Sequence, residues 1–351
     1  MKNDDLDSIY KKDILRKYYI GIILLVILII MAIIDIKVGA MDLSWNDIVI
    51  GIFDRNAPGA SVLWNLRLLR IFIAIVVGFC MGIEGCIMQS TLRNPLASPY
   101  TMGISQGAGF GVAFAVVVLG AGNFVASSGG YLALNNPFLT TIFAFIGSIL
   151  AIVLILILSK IKSITPTTMI LSGMAISSLF SAGTMLIQYF ADSNQLSVIV
   201  FWTFGDLERV VWNEFWIVLI VFVPCLLYFL YHQWDYNALE TGEETVRGLG
   251  INTDRLRLRS LVISSLTASV CVSFVGVIGF VGLIAPHIMK RLIGVNHKYL
   301  IPYSAGLGAV VLLMADIGSR IILAPIILPI GILTSFLGVP IFMYVIIKSN
   351  D

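Results

Sequence analysis

Charged residues occupy only 12% of the 351 positions, against about 25% in an average soluble domain. Hydrophobic residues make up 58%, and the mean hydropathy is +0.97. This excludes a water-soluble globular protein and implies a polytopic membrane protein. The chain contains no Gly-Lys pair, so it has no GxxxxGK[ST] loop to cradle a nucleotide phosphate. "GAGFG" (107–111) does not replace it, because no strand precedes it and no acidic residue follows at the required distance. The cysteines Cys80, Cys86, Cys225 and Cys271 lie in apolar runs without CxxC spacing and read as packing residues, not as disulfides or metal ligands. The histidines His232, His287 and His297 are too scattered to form a metal motif. No cofactor, metal or nucleic acid is therefore expected on the chain itself. Active transport has to draw on ATP bound by another subunit or on an ion gradient.

Long apolar runs are abundant. A span needs roughly 20 mostly apolar residues, and ten candidates fall near 18–36, 67–91, 99–118, 137–160, 166–190, 210–231, 257–276, 279–292, 301–323 and 329–347. The first lacks a cleavage site and reads as a retained helix. With both termini cytoplasmic, 16 of the 22 lysines and arginines fall inside, which fixes the orientation. Residues 257–292 are too long for one ordinary span, and "GVIGFVGLIAP" (276–286) offers the break. Broken helices at depth are tolerated where protein or a water-filled path covers the freed backbone, which points to transport.

Between the second and third spans lies "GCIMQSTLRNPLASPYTMGISQGAGFG" (85–111). Arg93, Asn94, Pro95 and Pro99 predict a tight cytoplasmic turn. Gly103, Gly107, Gly109 and Gly111 allow close packing of the next helix, and "GFCMG" (78–82) in the preceding span has the same small-residue spacing. Glu84, Gln89, Gln188, Asp316 and Arg320 are strongly polar residues inside spans and are functional candidates on that ground. Asp316 and Arg320 are four apart and share a helix face. The largest charged cytoplasmic stretch is 232–256. Within it, "NALETGEETVRGLG" predicts two short helices, with Asn237 or Thr241 capping a start, Glu243 and Glu244 in a first turn, and Gly248 or Gly250 at an end.

Several ordered motifs carry a resemblance over nearly the whole chain. They are "NLRLLR" (65–70), the 85–109 stretch, "FWTFGDL" (201–207), "NALETGEETVRGLGI" (237–251), "GFVGLIAPHIMKRLIG" (279–294), "LLMADIGSR" (312–320) and "LPIGILTSFLGVPIFMYVIIK" (328–348). With these the chain resembles permeases of the FecCD/BtuC class, the membrane subunits of type II ABC importers. The resemblance implies an all-α, BtuC-like fold of ten transmembrane helices in one permease domain spanning 1–351. The partners it implies are a second permease subunit, identical or paralogous, two cytoplasmic ATPase subunits that use the ATP, and an external binding protein. It places the chain in the cytoplasmic membrane of a prokaryote, importing most often ferric siderophores, with cobalamin, haem or a small oxyanion as alternatives.

Carried over by residue, the resemblance assigns ATPase coupling to Leu239, Gly242, Glu243, Glu244, Arg247, Leu249 and Gly250. It assigns binding-protein docking to Arg67, Arg70 and Arg320. Candidates for the translocation path or its helix packing are Glu84, Gly85, Gln89, Asn94, Pro95, Gly103, Gly107, Pro286, His287 and Asp316. Glu84 departs from the small residue expected before Gly85. Two other classes compete: an ion-coupled secondary transporter using Glu84 or Asp316, and a non-transporting membrane scaffold.

Overall fold

In hydrocarbon a backbone group has no water to bond, so an apolar run folds into the one structure that satisfies each group within its own segment, the helix. The structure, a computed structural model, describes residues 3–39, 41, 43–121, 124–126, 132–134, 136–161 and 165–347. Helix α1 (Asn3–Lys37) is followed by the short α2 (Trp45–Phe53), opened by a capping box between Ser44 and Asp47. A helical turn, α3 (Ala60–Val62), runs through a π-helical stretch (Leu63–Leu68) into α4 (Leu69–Thr91). Next come α5 (Ile104–Val117), the antiparallel strands β1 (Phe124–Ala126) and β2 (Leu132–Leu134), α6 (Pro137–Ile161) and α7 (Pro166–Tyr189). The chain continues through α8 (Ser193–Thr203), α9 (Trp212–Tyr231), α10 (Gln233–Thr241), α11 (Glu243–Gly248), α12 (Thr253–Val275), α13 (Val281–Ile293), α14 (His297–Ile321) and α15 (Ile330–Ile347).

Each expected span falls on a helix, and seven helices among the described residues are long and apolar enough to cross a bilayer. The other three expected spans correspond to α5, α13 and α15. The span expected from 67 is already helical at Ala60, and the one expected from 99 starts only at Ile104. Gly103 explains the second shift, because it precedes α5 with a left-handed φ of 81° that no helix interior adopts. Helix α8 and the strand pair, which pairs Phe124 with Leu134, lie outside the ten expected spans.

The break after α12 falls where the glycines indicated. Gly276 has φ 82°, and a Cβ there would meet the Trp202 carbonyl at 2.6 Å. The exposed backbone of this region is covered by protein. Asp206 N–H bonds the Val275 carbonyl at 2.7 Å, and Gly331 N–H bonds the Phe204 carbonyl at 3.0 Å. The end of α8 and the start of α15 thus meet at the break.

Helix α4 is the centre of the molecule: of its 23 residues, all but Phe72, Ile75 and Phe79 are buried. It lies against α13 and α14 at near backbone contact. An ideal Cβ on Gly85 would stand 1.7 Å from the Gly282 carbonyl oxygen, and one on Gly78 would stand 2.4 Å from Ala309 Cα. Lipid gives helices no hydrophobic reason to associate, so this close packing of small residues is what holds them. Gly85→Val should therefore destabilise the fold by about 1–3 kcal/mol or more, whereas Gly248→Ala, with nothing within 4 Å of its Cβ position, should stay within about 0.5 kcal/mol. Thermal unfolding in detergent compares the two; equal midpoints would refute the crossing as the source of stability.

Candidate functional site

At one end of the molecule, α9 stops at Tyr231 and the chain turns into α10, and Gly242 (φ 125°) then allows the reversal into α11. The inner face of α10 is tied to four elements. The Tyr236 hydroxyl lies 2.8 Å from Ser260 Oγ on α12, and Arg93, just past α4, donates to the Leu239 carbonyl at 2.5 Å. Lys290 of α13 donates to Glu240 at 3.0 Å. Asn237 Oδ1 accepts from the His297 backbone N–H at 2.7 Å and faces ring Nδ1 at 3.0 Å. Because that amide oxygen only accepts, His297 carries its proton on Nδ1, and Nε2 accepts from Ser90 of α4 at 2.7 Å. Burial pushes the Tyr236 phenol well above its ordinary range, so its bond to Ser260 persists across physiological pH.

Asn237 is therefore a mid-helix staple and not a cap, which corrects the expected start of the first short helix. Leu239 is likewise buried at 2% exposure and seats α10 instead of facing outward. The remaining coupling candidates lie along the exposed tip. Gly242 is half-buried and Glu244, Arg247, Leu249 and Gly250 are exposed, Leu249 at 66%. Val246 is the buried residue among the described side chains of α11 and anchors it. Glu243 begins α11; its side chain lies outside the described residues.

A cavity of about 560 Å³ opens beside the α12–α13 break, lined by Tyr100, Thr203, Phe204, Gly279, Ser335 and Phe336 among others. A second, of about 310 Å³, shares Tyr100, Thr203 and Val277 with it and adds Ser105, Gln106, Ser181, Thr184 and Gln188. Hydroxyls and aromatic rings line both, with aliphatic side chains in the first and the Gln106 and Gln188 amides in the second; among the described residues neither wall contains a charged side chain.

None of the ten candidates for the path or its helix packing lies on these walls, and two of them serve packing. Gly85 and Gly107 are helix crossings, the latter with its Cβ position 2.4 Å from the Gly147 carbonyl, and Gly103 precedes α5. Asn94 accepts from Leu96 N–H at 2.8 Å in the exposed turn that contains Pro95. His287 is half-buried on α13. Pro286 has no N–H to give the carbonyl of Gly282, four residues earlier, and Gln89 Nε2 faces that oxygen at 3.4 Å and the Leu283 oxygen at 3.2 Å. Glu84 is 1% exposed, and neither carboxyl oxygen has a hydrogen-bond partner among the described residues. Around it stand Cys80, Cys225 and Thr267; among the described residues no group of three or more His, Cys, Asp or Glu is placed to hold a metal.

At the opposite end, the three arginines expected to face outward are turned inward. Arg70 Nε donates to Asp316 Oδ1 at 2.8 Å and its Nη1 to Glu208 at 3.0 Å. Arg320 bonds the other Asp316 oxygen at 2.5 Å and pairs with Asp35. Arg67 donates to the carbonyls of Ile36, at 2.6 Å, and Met41. Asp316 and Asp35 are fully buried, while the Glu208 side chain is 44% exposed. The anticipated Asp316–Arg320 pair is thus part of a larger network joining α1, α4, α14 and the 205–211 loop. Sequence reasoning passed over Asp35 and Glu208, although an acid inside the 18–36 run was itself a signal.

Asp316→Asn leaves two buried guanidiniums short of charge and should cost about 3–5 kcal/mol, whereas Glu208→Gln should cost no more than about 1 kcal/mol. Equal shifts in detergent unfolding would mean that the network does not depend on Asp316.

The FecCD transport family matches residues 24–348. A chain of Methanocaldococcus jannaschii described as an ABC transporter permease protein is 51% identical over 98% of both chains. The Fe(3+)-citrate import system permease of Bacillus subtilis is 36% identical over 93% of each, and the hemin transport system permease of Yersinia pestis is 33% identical over 93% of this chain and 95% of its own. A solved structure described as an inward-facing metal-chelate type ABC transporter superposes with TM-score 0.79 at 29% identity, covering 93% of this chain and 97% of that one. The chain belongs to the FecCD transport family, as a multi-pass membrane permease subunit of the ABC transporter class.

Proposed function

We propose that this permease imports a metal chelate, foremost a ferric siderophore, driven by two cytoplasmic ATPase subunits and supplied by an external binding protein. The observation that carries the reading is the attachment of α10: one short helix is hydrogen-bonded to α12, α13, α14 and the turn after α4. A partner that grips the exposed α11 tip, with Leu249 as its apolar centre, moves these helices together. Closure of an ATPase dimer then shifts the permease between arrangements, because ATP favours one of them.

The cavity chemistry supports a chelate over a bare ion. A naked metal calls for carboxylate or imidazole ligands, and an oxyanion calls for arginine or lysine; the walls offer neither. Rings and hydroxyls suit a ligand that wraps its own metal. The relatives named for hemin and Fe(3+)-citrate transport point the same way. A second copy or a paralogue completes the path opposite these cavities. At the outer end, acidic residues of the binding protein compete with half-exposed Glu208 for Arg70, with Arg67 and Arg320 held behind it.

The test is uptake and ATP hydrolysis in proteoliposomes with the cognate ATPase and binding protein. Leu249→Glu should reduce transport at least tenfold while the permease still folds, and ATPase activity should lose its response to the loaded binding protein. Normal coupling in that variant would refute the assignment of the tip. Glu84→Gln should leave ATP-driven uptake intact, since a carboxyl with no partner has no ion pair to lose; abolished uptake, or uptake persisting without ATP, would favour the ion-coupled carrier.

A further inference from the structure

A further crevice of about 340 Å³, sharing no lining residue with the two cavities described above, is enclosed by α1, α4, α9 and α14. Its walls are hydrocarbon: Leu24, Leu25 and Leu28 of α1, Ile83 of α4, Leu226 of α9 and Ala305 of α14. The polar atom on its wall is the Tyr303 hydroxyl, which donates to the Lys17 carbonyl at 3.0 Å. Two close contacts pin α1 to α14 here. A Cβ on Gly21 would stand 2.5 Å from the Tyr303 hydroxyl, and one on Gly306 would stand 2.7 Å from Leu24. The crevice extends from Gly21 to Leu28, about 10 Å along α1 at ~1.5 Å per residue.

Its cytoplasmic mouth is cationic and aromatic. Lys17 and Lys298 place their ammonium groups 5.5 and 5.7 Å from the centroid of the Tyr299 ring. Tyr18 and Tyr303 pack on that ring at 6.3 and 6.2 Å. Asp13 pairs with Lys17 at 2.5 Å, whereas Lys298 is exposed, as is Arg16 on the same turn of α1. Lysines and tyrosines at one level mark the membrane–water interface. From Lys17 to Leu28 is about 16 Å of helix, close to half of a hydrocarbon core about 30 Å thick. The crevice therefore lies within the inner leaflet, with its cations at headgroup level.

We propose that this groove is a site for an anionic phospholipid of the inner leaflet, with one hydrocarbon chain in the crevice and the phosphate against exposed Lys298, where it competes with Asp13 for Lys17. The bilayer supplies hydrocarbon at that depth, and the charge at the mouth selects the headgroup. A lipid held here touches α1, α4, α9 and α14 at once. The assignment stands apart from the transport reading and needs neither ATPase nor substrate.

Native mass spectrometry of the intact permease, delipidated and titrated with phosphatidylglycerol or phosphatidylcholine of identical chains, tests it. Phosphatidylglycerol should be retained preferentially, by about fivefold for each lysine engaged. Lys298→Glu together with Lys17→Gln should bring the two lipids to parity. Ala305→Phe, which fills the crevice, should lower retention of both; if that variant misfolds, Leu226→Trp makes the same test from α9. Equal retention of the two lipids by the native protein would overturn the proposal, as would crevice-filling variants that hold lipid as well as the native chain, the result expected if another helix covers this face.

Discussion

Inside a bilayer a polar group left without a partner is expensive, and most of the architecture around α4 follows from that constraint, although Glu84 itself has no hydrogen-bond partner among the described residues. A helix interrupted at Gly276 exposes backbone; Asp206 N–H bonds the Val275 carbonyl there, and the start of α15 bonds the carbonyls of Phe204 and Gly205 just past α8. Pro286 deprives a carbonyl of its donor, and the Gln89 amide on the facing helix stands over it. Two arginines near the outer end lie buried, and carboxylates from α1, α14 and the 205–211 loop converge on them. The broken helices and buried charges that would otherwise weaken a membrane protein thereby fix which helices lie side by side.

Much of this was legible in the sequence. The ten spans follow from apolar length, the α12–α13 break from three glycines and a proline, and two short helices near 237–250 from the acidic residues and glycines there, although not from the caps expected. What periodicity could not give was partnership. Arg70 and Asp316 are 246 positions apart in the chain, and nothing local in either segment shows that their charges neutralise each other; read by orientation alone, Arg67, Arg70 and Arg320 look like free outward cations. The same blindness put Leu239 among the exposed coupling residues and made Asn237 a cap. Helix α8 was passed over because eleven residues are too few for a span, although Asp192 and Gln195 form the capping box that announces its start. The cavity walls, apart from Gln188, were missed for a different reason: they are neutral, and charge and glycine do not single out tyrosine, threonine and serine.

The two ends of the molecule are held by different chemistry, and the difference decides where movement is cheap. The outer end is closed by a buried ionic network, and removing one partner there strands a charge at a cost of about 3–5 kcal/mol. The inner end is joined largely by neutral bonds, Tyr236 to Ser260 and Asn237 through His297 to Ser90. Such bonds contribute about 0.5–1.5 kcal/mol each and exchange readily for water or a new partner. In the proposed mechanism, a force applied at α11 acts on the end whose contacts rearrange most easily. Helix α4 carries it onward, because it is close-packed with α13 and α14 and, at Arg70, belongs to the outer network. A core packed at glycine-to-backbone distance does not deform continuously and instead passes between discrete arrangements, which is the behaviour that alternating access requires of it.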